Sequence, residues 1–239
     1  MRLPQIKLGR RELIAGAIGA GSIQALTPAI PSQAQSPPTA AAATNLPAGY
    51  VFLKPNEAAF VEALVDHMVP EDELTPSGTD IGLATFIDRA LAGSWGKGDR
   101  LYNQGPWKLG TPNQGYQLPL TPSELYRTGI AASNAYCRKI YNGSFDDIAA
   151  AQKEAFLKDL SVNKIKLDGG IPGNAFFDVV YQTVIEGMFA DPIYGGNKNK
   201  VCWKMIGFPG VMANNAENIK KYNDGRIFTA DPISIADMS

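Results

Sequence analysis

The sequence predicts an all-α protein, with an irregular domain of about five helices, long ordered loops and an extended C-terminal tail. Apolar residues recur at the spacing of one helix face in five segments between residues 55 and 189. Signals that start or stop helices border most of these segments. No two alternating β-branched runs are joined by a tight turn, so the pattern does not favour a sheet.

The first two helices are predicted from their apolar faces and their ends. Pro55 begins the first segment and Pro70 ends it, because proline suits the first turn of a helix and cannot continue one. Its apolar residues at helical spacing are Phe60, Leu64, Val65 and Met68. The second segment covers about residues 80–92, and Gly93 follows it. Its apolar side carries Leu83, Phe86, Ile87 and Ala90.

Capping signals predict where the next helices begin. Thr121 is a capping threonine, Pro122 occupies the first helical position, and Glu124 completes a capping box. Ser144 and Asp147 form another cap of the Ser-x-x-Asp kind. The three remaining helices are predicted over about residues 122–141, 148–160 and 175–189.

Two long stretches, residues 93–120 and residues 191–239, interrupt or follow these helices. Both are rich in Gly, Pro and Asn. The first stretch also carries the aromatic residues Trp95, Tyr102, Trp107 and Tyr116. Because Trp and Tyr are favoured at interfaces, we expect these stretches to be ordered, either on the domain surface or around a partner.

The N-terminus has the three parts of a secretory signal, namely a basic start, an uncharged apolar middle and a small-residue exit. Arg10 and Arg11 are adjacent and residues 13–30 carry no charge, which predicts a twin-arginine (Tat) signal with cleavage after Ala34. A permanent membrane anchor is the alternative, although glycines and polar residues lower the hydrophobicity of this stretch. The predicted organisation is a signal peptide over residues 1–34, a flexible linker over 35–50 and a helical domain over 51–239.

Composition argues against several classes of function. The formal net charge is −1, and it becomes −4 without the predicted signal, so a chain with no basic cluster is not expected to bind nucleic acid. The single histidine, His67, has no second histidine or cysteine at ligand spacing. No Cys-x-x-Cys-His haem motif and no dinucleotide-binding loop occur. The chain is therefore predicted to hold no cofactor or metal of its own.

The chain has two cysteines, Cys137 and Cys202. An oxidising periplasm permits a disulfide between them, and the even count is compatible with one. The alternative is two separate buried thiols, and the sequence leaves both open.

A distinctive block follows the fifth predicted helix. Residues 186–197 read Glu-Gly-Met-Phe-Ala-Asp-Pro-Ile-Tyr-Gly-Gly-Asn, and residues 206–210 read Ile-Gly-Phe-Pro-Gly. With residues 63–70 and 115–117, this block resembles the hallmark of the gluconate 2-dehydrogenase subunit 3 family, and the resemblance covers nearly all of the predicted domain. The hallmark residues are Asp191, Pro192, Tyr194, Gly195, Gly196, Asn197, Trp203, Phe208 and Pro209.

The resemblance implies a small, cofactor-free subunit of a membrane-associated dehydrogenase complex. In such complexes a large subunit holds FAD and oxidises gluconate or a related sugar or sugar acid, and a multihaem cytochrome c subunit passes the electrons to quinone. The small subunit is associated with assembly and export of the flavin subunit. The implied partners are these two subunits and the Tat translocase, and the implied location is the periplasmic side of the bacterial cytoplasmic membrane.

The hallmark block has two interpretations, a scaffold corner of the domain or a partner-binding surface. Gly195, Gly196 and Asn197 tolerate left-handed backbone angles, which predicts a tight reversal after a helix stopped by Pro192. Asp191 is placed to bond backbone amides in that turn. The residues expected to pack the tail back onto the domain are Trp203, Phe208 and Pro209.

Two rival functions remain open at this point. The first rival to the subunit role is a stand-alone periplasmic enzyme that acts on a sugar through Glu186 and Asp191, and the second is a membrane adaptor anchored by its uncleaved leader. A two-carboxylate hydrolase needs its carboxylates at a defined separation across a cleft, and the sequence contains no sign of that separation.

Overall fold

The computed structural model describes residues 49–99, 101–102, 104–108, 110–111, 114–211, 216–225 and 229–238. The chain divides into two units, residues 1–39 and residues 40–239. The first unit lies outside the described residues, and so do Arg10, Arg11 and the predicted cleavage point at Ala34. All the described residues belong to the second unit.

The described part of the chain is helical, which confirms the all-α prediction. It contains seven α-helices: α1 Pro55–Met68, α2 Leu83–Ala92, α3 Pro122–Tyr141, α4 Ala150–Ser161, α5 Gly173–Phe189, α6 Val201–Ile206 and α7 Ala216–Asn223. Short 3-10 turns lie at Pro192–Tyr194, Lys198–Lys200 and Ile235–Met238. No strand forms among these residues, and only two isolated bridges occur, Lys166 with Pro172 and Gly210 with Ile233.

The start of α3 shows how local signals produce a helix end. The Thr121 hydroxyl accepts the backbone N–H of Glu124 at 3.3 Å, and the Glu124 carboxylate accepts that of Thr121 at 2.8 Å. Pro122 occupies the first helical position, so the predicted capping box is present. These bonds satisfy two N–H groups that a helix otherwise leaves unpaired.

Two helices begin later than the sequence predicts. Gly82 adopts a left-handed φ of +89° at the start of α2, which separates the turn at residues 77–81 from the helix. Before α4, the Ser144 hydroxyl bonds the Asp147 carboxylate at 2.7 Å. The Ser144 cap therefore closes a separate turn, and α4 begins at Ala150 rather than at about residue 148.

The core is built around α5. This helix packs against α2, α3 and α4, and α1 packs against the same three helices. The Phe60 ring lies 4.7 Å from that of Phe145 and 6.5 Å from that of Phe176, measured between centroids. A Cβ at Gly129 would lie 2.3 Å from the Phe176 ring, so only glycine permits this approach of α3 to α5.

A buried carboxylate anchors the first described residues to the helices. Asp88, on α2, accepts the backbone N–H groups of Val51, Phe52 and Leu53, each at 2.8 Å. The Arg127 guanidinium lies 4.4 Å above the centre of the Phe52 ring. The segment that precedes α1 is therefore held to α2 and α3 by contacts of side chains distant in sequence.

The expectation of an extended C-terminal tail is wrong in part. After α5 the chain forms α6 and α7 and several 3-10 turns. The six residues of α6 bury Cys202 and Trp203, but so short a helix shows no clear periodicity in the sequence. Residues 229–238 then return to the domain, where Val211 N–H donates to the Ile233 carbonyl at 2.7 Å.

The long loop before α3 is ordered where it is described, and its aromatic residues divide into two groups. Tyr116 packs against the core and donates its hydroxyl to the Leu120 carbonyl at 3.1 Å. Burial raises the pKa of its hydroxyl to about 12. Trp95 and Tyr102 are instead exposed.

Candidate functional site

The hallmark corner, defined as residues 191–197, follows α5 directly. Asp191 is buried, and its two carboxylate oxygens accept different backbone amides, Ile193 N–H at 3.0 Å and Ile235 N–H at 2.8 Å. Pro192 begins a 3-10 turn and ends the helical path. Asp191 thus joins the corner to the C-terminal segment, which returns to it 44 residues later.

Asn197 connects the end of α5 to the start of α6. Its side chain is fully buried, donates to the Ala190 carbonyl at 3.0 Å and accepts the Cys202 N–H at 2.9 Å. Its φ of +46° lies in the left-handed region, which asparagine tolerates better than most residues. The residue therefore has both a conformational and a hydrogen-bonding reason to be Asn.

The two glycines of the corner serve different purposes. Gly195 has a φ of +99°, as the predicted reversal requires. Gly196 lies outside the left-handed region, so the sequence-based reason given for it is wrong. A Cβ at Gly196 would instead lie 2.4 Å from the carbonyl oxygen of Gly187, so this glycine allows the corner to pack against α5.

The corner also packs against the start of α2. A Cβ at Gly82 would lie 2.2 Å from the Gly195 carbonyl oxygen. The Lys198 N–H donates to the Ile81 carbonyl at 3.0 Å. Backbone contacts on two sides, to α2 and to α5, therefore make the corner a rigid part of the domain scaffold.

Trp203 and Phe208 attach the next segment to the end of α5. The indole N–H of Trp203 donates to the Phe189 carbonyl at 2.8 Å, one of the acceptors that a helix leaves free at its C-terminus. The Trp203 and Phe208 rings meet edge-on with centroids 5.1 Å apart. The Pro209 carbonyl accepts the Ile233 N–H at 3.1 Å, so this segment packs against both α5 and the C-terminal segment.

An apolar face surrounds α6, beside this rigid corner. It consists of three large side chains that are 40–68% exposed and line one groove: Leu74, Tyr181 and Met205. A groove of about 310 Å³ runs through it, between α5, α6 and the loop after α1, and Met68, Met188 and Met205 contribute to its lining. Flexible methionines and aromatic rings together are typical of surfaces that receive a protein partner.

Arg89 lies on the last turn of α2, beneath the corner. A Cβ at Gly195 would lie 3.4 Å from Arg89 Cδ and 3.5 Å from its Nε. The Nε and Nη1 groups are buried, and neither finds a hydrogen-bond acceptor in the described part of the chain. The sequence did not single out this residue, because an arginine on the last turn of a helix ordinarily interacts with the helix dipole and with solvent.

The proposed carboxylate pair, Glu186 and Asp191, has separate environments. Glu186 is exposed on α5 and accepts the Gln182 side-chain N–H at 3.2 Å. Asp191 commits both oxygens to backbone amides. These contacts are those of a structural carboxylate at Asp191.

The remaining candidate residues are His67 and the two cysteines. His67 Nε2 lies 3.0 Å from a Glu154 carboxylate oxygen, which links α1 to α4. Cys137 and Cys202 are free and buried, and burial raises the pKa of both thiols, that of Cys137 to about 11. Among the described residues no cluster of three or more His, Cys, Asp or Glu side chains is arranged to hold a metal.

These features define a helical subunit with a rigid corner and an exposed apolar face. The sequence profile of one family, gluconate 2-dehydrogenase subunit 3, matches residues 55–210, and the chain belongs to this family. The matched region runs from the first residue of α1 to the end of the hallmark, including α6. No curated protein and no solved structure matches the chain.

Family membership makes the chain a subunit of a gluconate 2-dehydrogenase-type oxidoreductase complex. Within the described residues no helix has the length and apolar character needed to cross a membrane.

Proposed function

We propose that this chain is the non-catalytic small subunit of a membrane-bound flavoprotein–cytochrome c dehydrogenase. In this role it supports the assembly, stability and Tat export of an FAD-containing subunit that oxidises gluconate or a related sugar or sugar acid. A multihaem cytochrome c subunit is the third member, and the complex works on the periplasmic side of the bacterial cytoplasmic membrane. The observation that carries the proposal is the apolar face next to the rigid hallmark corner.

The apolar face has the properties of a preformed protein-binding surface. Its side chains Leu74, Tyr181 and Met205 remain 40–68% exposed in this chain, although burying each would be favourable. The corner beside it is held by backbone contacts to α2 and α5, so little conformational entropy would be lost on binding. A partner subunit that covers this face would therefore bury apolar side chains and lose little conformational entropy.

The export part of the proposal rests on the leader. Arg10 and Arg11 belong to a Tat-type pattern, and the Tat pathway suits cargo that has already folded and bound its cofactor. A flavoprotein that loads FAD in the cytoplasm and lacks its own signal could be exported in complex with this chain. The leader would then direct export of the complex as well as of its own polypeptide.

The test is to replace Arg10 and Arg11 with Lys in the full chain and co-express it with an epitope-tagged flavin subunit. We expect both polypeptides to remain in the cytoplasmic fraction. The matched control exchanges Arg2→Lys and Lys7→Arg, which conserves the charge of the basic start and leaves the arginine pair intact. Normal export of the flavin subunit with the Arg10 and Arg11 variant would contradict the proposal.

A second test concerns the absence of catalysis. The full chain purified alone should show no flavin or haem absorbance and no dye-linked dehydrogenase activity. Activity that disappears in Glu186→Gln would support the rival enzyme instead. No contact among the described residues favours that rival, because the Asp191 carboxylate is occupied by backbone amides. For the rival membrane adaptor, the mass of the mature chain decides whether the leader is retained.

A further inference from the structure

We propose that the groove beside α6 receives an amphipathic helix of the flavin subunit, and that this helix carries lysine or arginine beside its apolar stripe. This inference rests on the proposed function and adds the shape and charge of the partner segment. It follows from a leucine that a hydrogen-bonded turn holds out into solvent at the groove, and from the three acidic side chains that precede this leucine.

The turn after α1 presents Leu74 to solvent in a fixed position. The Asp72 carboxylate accepts the backbone N–H groups of Leu74 and Thr75, each at 2.8 Å, and the Asp72 N–H donates to the Thr75 carbonyl at 2.9 Å. Thr75 is buried, which attaches the turn to the domain, whereas Leu74 is 68% exposed. Among the described residues no other large aliphatic side chain is exposed to this extent. An ordered leucine in this position is available to be buried by a partner.

The other walls of the groove are also preformed. The Tyr181 ring on α5 stacks on that of Phe177, with centroids 5.8 Å apart and planes 9° from parallel. Met205 on α6 is 40% exposed, and Met68 and Met188 complete the apolar lining. The volume of about 310 Å³ is at the low end for a small-molecule site, which favours a few partner side chains over a cofactor. Recognition of an amphipathic helix uses a groove of this kind, filled by residues from one apolar helix face.

The groove is bordered by negative charge on the side of the turn. Glu71, Asp72 and Glu73 are consecutive and all exposed. Hydrogen bonds from two backbone N–H groups of the turn lower the pKa of Asp72, so its carboxylate is charged at neutral pH. On α6, Lys204 precedes Met205 and is also exposed, but the three acidic residues outnumber it. A partner helix with lysine or arginine facing the turn is therefore electrostatically complementary to this border.

The groove lies within the part of the chain that the family profile matches. Its lining runs from Met68 to Met205, and the match covers residues 55–210. Other exposed apolar side chains, such as Ile219 and Tyr222 on α7, lie outside the match. Because members of this family are subunits of a dehydrogenase complex, a surface that serves assembly is expected inside the matched region.

The experiment measures the affinity of the full-length chain for the purified flavin subunit at low and at high salt. Leu74→Ser removes the apolar contact and keeps the backbone of the turn, so we expect binding to weaken by about tenfold or more. The double variant Glu71→Lys with Glu73→Lys reverses two charges and leaves the Asp72 hydrogen bonds in place. It should bind about tenfold more weakly at low salt, with a smaller difference at high salt, because salt screens exposed charges.

Matched controls separate the groove from general surface effects. Ile219→Ser removes an aliphatic side chain that is 58% exposed on α7. The double variant Asp99→Lys with Asp168→Lys makes the same change in net charge at two exposed positions outside the groove lining. Both controls should keep the wild-type affinity. The denaturant midpoint should stay unchanged in the two groove variants, since the substituted side chains are exposed.

Several results would overturn the inference. Wild-type affinity in both groove variants would place the interface elsewhere and leave the proposed function intact. Weaker binding in Leu74→Ser but not in the charge variant would show that the partner segment is apolar without the proposed basic residues. Loss of self-association in Leu74→Ser, with normal binding of the flavin subunit, would assign the groove to a contact between copies of this chain. Failure of the wild-type chain to bind the flavin subunit would overturn both the inference and the proposed function.

Discussion

The carboxylate of Asp191 accepts the backbone N–H of Ile235 at 2.8 Å, across 44 positions of sequence. The other oxygen of the same carboxylate accepts the N–H of Ile193 within the corner. A residue in the most recognisable block of the chain therefore joins the end of α5 to the C-terminal segment. This relationship makes the hallmark corner a scaffold element, and the apolar face lies beside it.

Replacing Asp191 with Ala should destabilise the domain and release its C-terminal segment. Two backbone amides would lose a charged acceptor, which should cost about 2–4 kcal/mol of unfolding free energy. Denaturant unfolding measures the loss, and limited proteolysis should show faster cleavage within residues 229–238. The control Asp231→Ala changes an exposed aspartate in the same segment and should leave both measurements unchanged. Equal stability of the two variants would contradict the scaffold role.

Gly196 and Gly207 permit a comparison between steric and conformational reasons for glycine. In Gly196→Ala the new Cβ would meet the Gly187 carbonyl oxygen at 2.4 Å, and a backbone atom cannot turn aside. Gly207 has a φ of +68° but open space around its Cβ position, so only left-handed strain arises there. We expect the free energy of unfolding to fall by about 3 kcal/mol in Gly196→Ala and by about 1 kcal/mol in Gly207→Ala.

Denaturant unfolding of the two glycine variants provides the measurement. If Gly207→Ala lowers the free energy of unfolding as much as Gly196→Ala does, the close approach of the corner to α5 is not the reason that residue 196 is glycine.

The two cysteines should resist thiol reagents in the folded chain. Burial raises the pKa of Cys137 to about 11 and also raises that of Cys202, so little reactive thiolate exists at pH 8. Titration with a chromogenic disulfide reagent should detect almost no thiol in the native chain and two after denaturation without reductant. Zero thiols after denaturation would instead show that the cysteines form a disulfide in the isolated protein.

The contact between Lys200 and Asp237 should weaken in acid. The Lys200 ammonium lies 2.7 Å from the carboxylate and, with the Ser234 N–H, lowers the pKa of Asp237 from 3.8 to about 2. Because the pKa is lower in the folded chain, the contact contributes fully above about pH 4 and is lost as the pH falls toward 2. Carboxyl NMR titration should report this low pKa.

The variant Lys200→Met tests the cause of that shift. Without the ammonium, the pKa of Asp237 should rise toward its ordinary value, since the Lys200 hydrogen bond is the largest contribution. The control Lys204→Met removes an exposed lysine from α6 and should leave the titration unchanged. If the pKa of Asp237 in Lys200→Met stays as low as in the wild-type chain, Lys200 is not the cause of the shift.

Local signals in the sequence predicted the helices well. The capping box of Thr121 and Glu124 and the proline at residue 122 place the start of α3 correctly, because each acts within one turn. The Ser144 signal was less exact, because its hydroxyl bonds the Asp147 carboxylate and closes a separate turn. The short helix α6 was missed because six residues contain too few apolar repeats to show a period.

The sequence by itself determined the helical class of this protein, the main helices and its membership of the gluconate 2-dehydrogenase subunit 3 family. These properties depend on neighbours in the chain or on a contiguous block of residues. Only the tertiary structure decided that Asp191 holds Ile235, that Gly196 faces the Gly187 carbonyl and that Gly195 packs against the Arg89 side chain. Contacts between distant residues depend on how helices pack, and packing leaves no periodic signal in a single sequence.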